Sequence, residues 1–238
     1  MNIALLTAGG TGNRMGQDIP KQFMFVEGAP IIIHTMSAFQ RHPDVDGIAV
    51  VCLEGWETIL TSYANQFNIT KFKWTFKGGK SGMESIHNGI YGLREKGMPD
   101  DSIVIIHDGV RPLVSQDIIS SSIATCKAFG NAIAGIQCRE AILETPDGAT
   151  SNHSVPRDSL IRTQTPHTFF LGDIIAAHEE AKAKGITNSV ASCTLLAELG
   201  GRTMHLTPGS EKNIKVTTVE DIEIMKALLH VTKESWLK

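Results

Sequence analysis

Cysteine is scarce and scattered. Cys52, Cys126, Cys138 and Cys193 are the four in 238 residues, and none belongs to a C-x-x-C pair or has a histidine at zinc spacing. This argues against a zinc site and reads as reduced core thiols of a cytoplasmic protein. Also missing is any apolar run near the roughly 18 residues that a membrane span requires. The apolar N-terminus, Met1-Asn2-Ile3-Ala4-Leu5-Leu6-Thr7, has no basic residues before it and runs straight into glycines, so it reads as a buried strand and not as a signal peptide. Neither sign of charge dominates: 22 basic and 25 acidic residues give a formal net charge of −3. A dominant electrostatic attraction to nucleic acid or to an acidic membrane is therefore not expected. An anionic ligand would need the cations focused in one place. What the chain does have is 42% hydrophobic residues, an ordinary soluble composition. Its length suits a single α/β domain with a substantial core.

Apolar runs of strand length alternate with segments of helical period. Strands are predicted at Asn2–Thr7, Gly47–Leu53, Lys71–Phe76, Ser102–His107 and Ala132–Cys138. Helices are predicted at Pro30–Gln40, Trp56–Phe67, Met83–Lys96 and Gln116–Phe129. Continuous apolar strands separated by helices indicate a Rossmann-like, doubly wound, mostly parallel sheet covered on both faces. Residues 139–162 break the pattern. They are polar, with turn signals at Pro146-Asp147-Gly148 and Pro156, and short strand-like pieces flank the turn. A projecting β-arm fits better than another βα unit. Helices at Gly172–Lys184 and Ser189–Leu199, a strand at Thr203–Leu206 and a helix at Val219–Leu229 complete residues 1–238 as one domain plus an arm.

In such sheets the ligand lies beyond the carboxyl ends of the strands. The glycine loop Ala8-Gly9-Gly10-Thr11-Gly12-Asn13-Arg14-Met15-Gly16 follows the first strand, and glycines let a backbone approach a phosphate closely. The loop is no Walker A motif, since no G-x-x-x-x-G-K-[ST] can be drawn. An NAD-binding oxidoreductase is the alternative, but the fingerprint is poor. Met15 stands where Gly or Ala is needed, Pro20 interrupts the required helix, and the second strand ends near Leu53-Glu54, too late to supply the ribose-binding acid. What remains is a long loop with two cations, Arg14 and Lys21, that Pro20 and Gln22-Phe23 hold in place. Arginine offers a planar fork for phosphate oxygens, and lysine a compact point charge.

The stretch L-x-A-G-G-x-G-x-R-M-G followed by P-K-Q resembles the CTP-dependent cytidylyltransferases of isoprenoid and teichoic acid synthesis. The resemblance continues through Gly78-Gly79-Lys80, Glu84-Ser85, His107-Asp108-Gly109-Val110-Arg111-Pro112, Gln164-Thr165-Pro166-His167-Thr168-Phe169 and Asn213-Ile214-Lys215-Val216-Thr217. It implies transfer of CMP from CTP to a small polyol phosphate with release of pyrophosphate. By the same resemblance Arg14, Lys21 and Lys215 are catalytic, and Ala8, Gly9, Gly10, Thr11, Gly12, Gly79, Lys80 and Ser85 bind the nucleotide. Asp108, Arg111, Arg157 and Thr165 would bind the acceptor, with Asp108 also serving Mg²⁺. The arm would embrace a second subunit, making a homodimer in which Arg157 helps to build the neighbour's site.

The chemistry is consistent with this. A phosphate monoester is largely dianionic at neutral pH, so it arrives as a ready nucleophile and needs no general base. The obstacle is repulsion between polyanions, which positioning and positive charge overcome. Asp108 could instead cap the segment after Arg111-Pro112, and His107 reads as a satisfied structural histidine. Lys215 lies between Ile214 and Val216 at a strand-like spot and should point opposite to both. Three departures stand out. Ala141 replaces a threonine of the family pattern, Thr187-Asn188-Ser189 stands where Thr-Asp and a small or acidic residue are usual, and Gly82 occupies the place of an arginine in the isoprenoid enzymes. Thr7-Ala8-Gly9-Gly10 and the Gly109-Val110 pair resemble the ribitol 5-phosphate type more than the 2-C-methyl-D-erythritol 4-phosphate type, so ribitol 5-phosphate is the favoured acceptor.

Overall fold

The computed structural model describes residues 1–10 and 19–230. The glycine-loop residues Thr11, Gly12 and Arg14 lie outside the described residues. A seven-stranded sheet forms the centre, in the order β11-β7-β10-β6-β1-β4-β5. Its strands are β1 (Asn2–Ala8), β4 (Gly47–Cys52), β5 (Phe72–Lys77), β6 (Ile103–Asp108), β7 (Asn131–Gln137), β10 (Ile161–Phe170) and β11 (Leu206–Pro208). Two short strands, β2 (Phe25–Val26) and β3 (Ala29–Pro30), form a small hairpin after the first loop. Strand β1 pairs in parallel with β4 and β6, β4 with β5, and β7 with β11, whereas β10 runs antiparallel to both β6 and β7.

The alternation of β1 explains the two layers. Ala4 and Leu6 face a core shared with α1 (Ile31–Gln40), α2 (Glu57–Gln66) and α4 (Gln116–Phe129). Ile3 and Leu5 face the opposite core, against α3 (Gly82–Glu95), α5 (Leu171–Ala183) and α6 (Ser192–Leu199). Successive side chains of a strand point to opposite faces, so a strand apolar throughout must be covered on both. Helix α3 is capped by Ser81, whose hydroxyl accepts from Glu84 N at 3.1 Å. Helix α4 is capped in the same way by Ser115, through Ile118 N at 3.3 Å, so Asp108 is not its cap. A final helix, α7 (Val219–His230), packs Ile222 and Met225 into a third, small cluster with Val26, Ile31, Val110 and Val216.

The arm is a hairpin of β8 (Ile142–Glu144) and β9 (His153–Val155) that follows the carboxyl end of β7. The sequence reading missed β10, which is polar along Arg162-Thr163-Gln164-Thr165 and contains a proline. Pro166 sits where the β10–β7 register shifts between Thr163 and His167, the setting in which a sheet tolerates a residue with no donor. Two boundaries also move. The strand predicted at Thr203–Leu206 is β11, three residues further on, and the helix predicted from Ser189 begins at Ser192.

Candidate active site

Two loops meet at the carboxyl ends of β1 and β5. A Cβ placed on Gly9 would lie 3.0 Å from the Gly78 Cα, and one on Gly78 would lie 2.9 Å from the Cys52 carbonyl oxygen. The loops therefore touch backbone to backbone, which side chains would prevent. Gln22 fixes the first loop. Its side chain is buried, and Nε2 donates to the carbonyls of Ala8 and Gly10, at 2.9 Å each. It belongs to a single 3-10 turn, Lys21–Phe23, anchored by stacking of Phe23 on Trp56 at 4.6 Å. Among the described residues the first α-helix begins at Ile31. Side chains from α3 fix the second loop. Ser85 Oγ accepts from Gly79 N at 3.0 Å, and Glu84 Oε2 accepts from Lys80 N at 2.6 Å.

Between these loops lies a cavity of about 840 Å³, lined by Ala8, Gly9, Gly10, Lys21, Gly79, Lys80 and Ser85, with Asp108 and Lys215 at one side. A smaller cavity of about 260 Å³ adjoins it and is lined by Arg111, Thr163, Thr165, His167 and Ser192 among others. Thr7, Gly82, Asp108 and Lys215 belong to both walls, so they mark the place where the two meet.

Asp108 ends β6 at that junction. Its carboxylate accepts from Arg111 Nε at 2.8 Å and from Lys215 Nζ at 3.0 Å, and its backbone N donates to Thr165 Oγ1 at 3.0 Å. Burial alone would raise its pKa, but the charges of Lys215 and Arg111 outweigh burial and hold the carboxyl well below the usual range. Arg111 also donates through Nη1 to the Asn213 carbonyl at 2.8 Å, and Asn213 Nδ2 donates to the Thr165 carbonyl at 2.8 Å. Asn213 is fully buried and ties the Arg111 turn to β10. Gln164 pins the same loop by donating to the Ser210 carbonyl at 2.9 Å. Lys215 projects opposite to the fully buried Val216, as expected, but it lies on an extended loop outside the sheet, held by Val216 N donating to the Val110 carbonyl at 2.9 Å.

The structure brings together Ala8, Gly9, Gly10, Lys21, Gly79, Lys80, Ser85, Asp108, Arg111, Thr165 and Lys215. It does not bring Arg157 there. Arg157 sits at the base of the arm, exposed, with Nη1 donating to the Arg139 carbonyl at 2.8 Å, and lines neither cavity of its own chain. His107 is buried beneath the junction. Its Nε2 bonds the Arg111 carbonyl at 3.1 Å while Nδ1 has no partner, so it is only half satisfied. Burial pushes it down to about 4, leaving it neutral at pH 7. Sequence reasoning gave no role to Asn213 or Gln164, whose partners lie far along the chain. The signal was present, since both are polar residues inside motifs already noted.

Residues 2–231 match the family described as 2-C-methyl-D-erythritol 4-phosphate cytidylyltransferase. A ribitol-5-phosphate cytidylyltransferase of Lacticaseibacillus paracasei is 39% identical over 231 residues, covering 96% of this chain and 98% of its own. A 2-C-methyl-D-erythritol 4-phosphate cytidylyltransferase of Geotalea uraniireducens is 35% identical over 227 residues, covering 95% of each chain. The crystal structure of the 4-diphosphocytidyl-2C-methyl-D-erythritol synthase of Anaerococcus prevotii shares the fold with a TM-score of 0.80 at 24% identity, covering 97% of this chain and 96% of that one. With paired glycine loops on one side of the junction and the Arg111–Asp108–Lys215 triad on the other, the chain belongs to the 2-C-methyl-D-erythritol 4-phosphate cytidylyltransferase family and is a CTP-dependent nucleotidyltransferase.

Proposed function

We propose that the protein transfers CMP from CTP to D-ribitol 5-phosphate, forming CDP-ribitol and pyrophosphate. The observation that carries this reading is the meeting of two cavities at Asp108 and Lys215. CTP occupies the larger, whose volume lies within the ~300–1,000 Å³ of small-molecule sites. Its base and ribose lie against Gly79, Lys80 and Ser85, and its triphosphate against the Gly9-Gly10 loop and Lys21. The polyol phosphate occupies the smaller, with its phosphate toward Arg111, Thr165 and Lys215. An oxygen of the acceptor phosphate attacks the α-phosphorus, a new P–O bond forms, and the bond from that phosphorus to the β-phosphate oxygen breaks. The electron pair leaves with pyrophosphate.

No proton has to be removed from the nucleophile, so the residues act by charge and position. Lys215, fixed by Asp108, stands where acceptor and α-phosphate meet. Arg14 joins Lys21 on the triphosphate. Mg²⁺ would add charge neutralisation on the phosphate oxygens. The donor set suits a cation held mainly by substrate. Among the described residues, Glu54 is paired with Lys77, Glu84 is bonded to Lys80 N, and Asp108 is the carboxylate that lines both cavities. Magnesium commonly needs only one or two carboxylates beside substrate phosphates and water.

The arm supports a homodimer. Arg157 sits outside its own chain's cavities, and Leu143 is 62% exposed on the hairpin, so each arm would reach a second subunit and bring Arg157 to that subunit's acceptor. Ala141, beside β8, gives no side-chain hydrogen bond there. The setting would be cytoplasmic, and the product a precursor of a ribitol-containing cell-wall polymer. The test is pyrophosphate release with CTP, Mg²⁺ and either D-ribitol 5-phosphate or 2-C-methyl-D-erythritol 4-phosphate. The expected result is a higher kcat/KM for the ribitol ester. The reverse order would give the acceptor to the isoprenoid branch, and inertness with both would refute the reading.

A further inference from the structure

We infer that Gly82 is a specificity-determining residue for the acceptor: the side chain it lacks keeps open the passage in which the polyol phosphate lies. Gly82 is the first residue of α3, directly after the Ser81 cap, and it lines both cavities. Neither the backbone nor the packing of the described residues accounts for a glycine there. Its φ is not among the positive values of the chain, so any residue could adopt its conformation. A Cβ built on it meets no described atom within 4 Å, in contrast to Gly79, where a Cβ would come within 2.5 Å of the Glu84 side chain. Glycine is also a poorer helix former than alanine. A position that would tolerate a side chain, and that would gain helix stability from one, instead leaves a gap. That gap faces Asp108 and Lys215 across the junction.

The consequence is chemical. The acceptor phosphate must reach the α-phosphorus at this meeting point while its carbon chain remains in the smaller cavity. The chain then passes the wall at Gly82, and a side chain there would occupy the volume it needs. The same cavity is lined by Ser192, whose Oγ is buried without a partner. A buried unpaired hydroxyl carries a desolvation cost, and a hydroxylated ligand chain that reached it would relieve that cost. This inference rests on the proposed CMP transfer and assigns the acceptor end of that reaction to a residue of the nucleotide loop's own helix.

The experiment compares Gly82→Ala and Gly82→Arg with the unaltered protein by thermal melting, by pyrophosphate release, and by calorimetric titration with D-ribitol 5-phosphate alone. Gly82→Ala is expected to melt no lower than the parent and to keep its KM for CTP. Its KM for the acceptor should rise by about tenfold, the scale on which one methyl group in a pocket discriminates. Gly82→Arg should lose more, with weaker acceptor binding in the titration as well. Acceptor KM and acceptor binding unchanged in both variants would overturn the inference. So would a rise in the KM for CTP equal to that for the acceptor, because the gap would then serve the nucleotide. Should the parent turn over only the methylerythritol ester, the ribitol reading fails, and the same comparison made with that ester judges Gly82 separately.

Discussion

Asp108 is the most informative residue to perturb, because it is an anion in a site built to hold anions. Asp108→Asn keeps the shape of the side chain and removes its charge. In the folded protein the carboxylate lies 2.8 Å from Arg111 Nε and 3.0 Å from Lys215 Nζ, and is only 17% exposed. A unit charge pair about 4 Å apart is worth about 4 kcal/mol at an effective dielectric near 20, so two such attractions outweigh the cost of burying one carboxylate. Removing the shared partner leaves two cations facing each other, and the expected loss of stability at pH 7 is about 3–5 kcal/mol. The loss should depend on pH in a definite direction. A carboxyl whose pKa is depressed by folding stabilises fully above its unfolded value, about 3.9, and loses that contribution as pH falls toward the lower folded value. Urea unfolding should therefore show the same difference between parent and variant at pH 7 and pH 5, shrinking only below about pH 4. Kinetics should split. The more positive site should attract the CTP anion more strongly, while loss of a carboxylate beside the phosphates should raise the Mg²⁺ concentration needed for half-maximal rate. Meanwhile kcat should fall by about 10²–10³-fold, the scale for losing one positioned charge at a developing anion, because Lys215 is no longer held at the junction. A variant with parental stability and parental kcat would refute the claim that Asp108 organises the two cations.

Other outcomes follow from the same geometry. Lys21→Ala should lower kcat/KM by about 10²–10³-fold with an unchanged melting curve, and mixing it with Arg157→Ala should restore part of the activity through hybrid dimers, as read by pyrophosphate release. No restoration at any mixing ratio would speak against arms that complete the partner's site. Gln22→Ala removes one buried and one part-buried hydrogen bond to the glycine loop, and should cost about 2 kcal/mol of stability together with a weaker KM for CTP. His107, His167 and His178 are each pushed down to about 4, chiefly by burial. Their imidazole resonances should report neutral rings at pH 6, and stability should decline as pH falls from about 6.5, their unfolded value, toward 4.

The sheet was legible because β1, β4 and β6 are apolar at nearly every position and end in glycine or acidic loops. That combination has few readings other than a parallel strand delivering a ligand site. Strand β10 was not legible, since it joins the sheet through backbone pairing at positions whose side chains are polar. The irregularity around Pro166 hides its period. The cations that line the cavities could be named from motifs, but their support could not. Arg111 and the Asn213 carbonyl that holds it are 102 residues apart, and Gln164 and the Ser210 carbonyl it pins are 46 apart. Local spacing carries no trace of either bond.

The net charge of the chain also takes on a different meaning once the site is seen. An excess of acidic residues was compatible with a polyanionic substrate only if the cations were gathered, and they are gathered in an unexpected way. Two of them, Arg111 and Lys215, converge on the Asp108 carboxylate. Left alone, like charges so placed would repel each other and swing toward water. Asp108 holds both at the cavity junction and keeps them pointed inward, at the cost of part of their field. A substrate phosphate that enters with two negative charges can compete for both cations without displacing the Asp108 carboxylate. Carboxylate oxygens and phosphate oxygens can share the donors of a guanidinium and an ammonium group, which present five and three N–H bonds. In the proposed reaction the acid would therefore lower the reorganisation needed when charge builds on the α-phosphate, as a preorganised site does when its nucleophile has no proton to transfer.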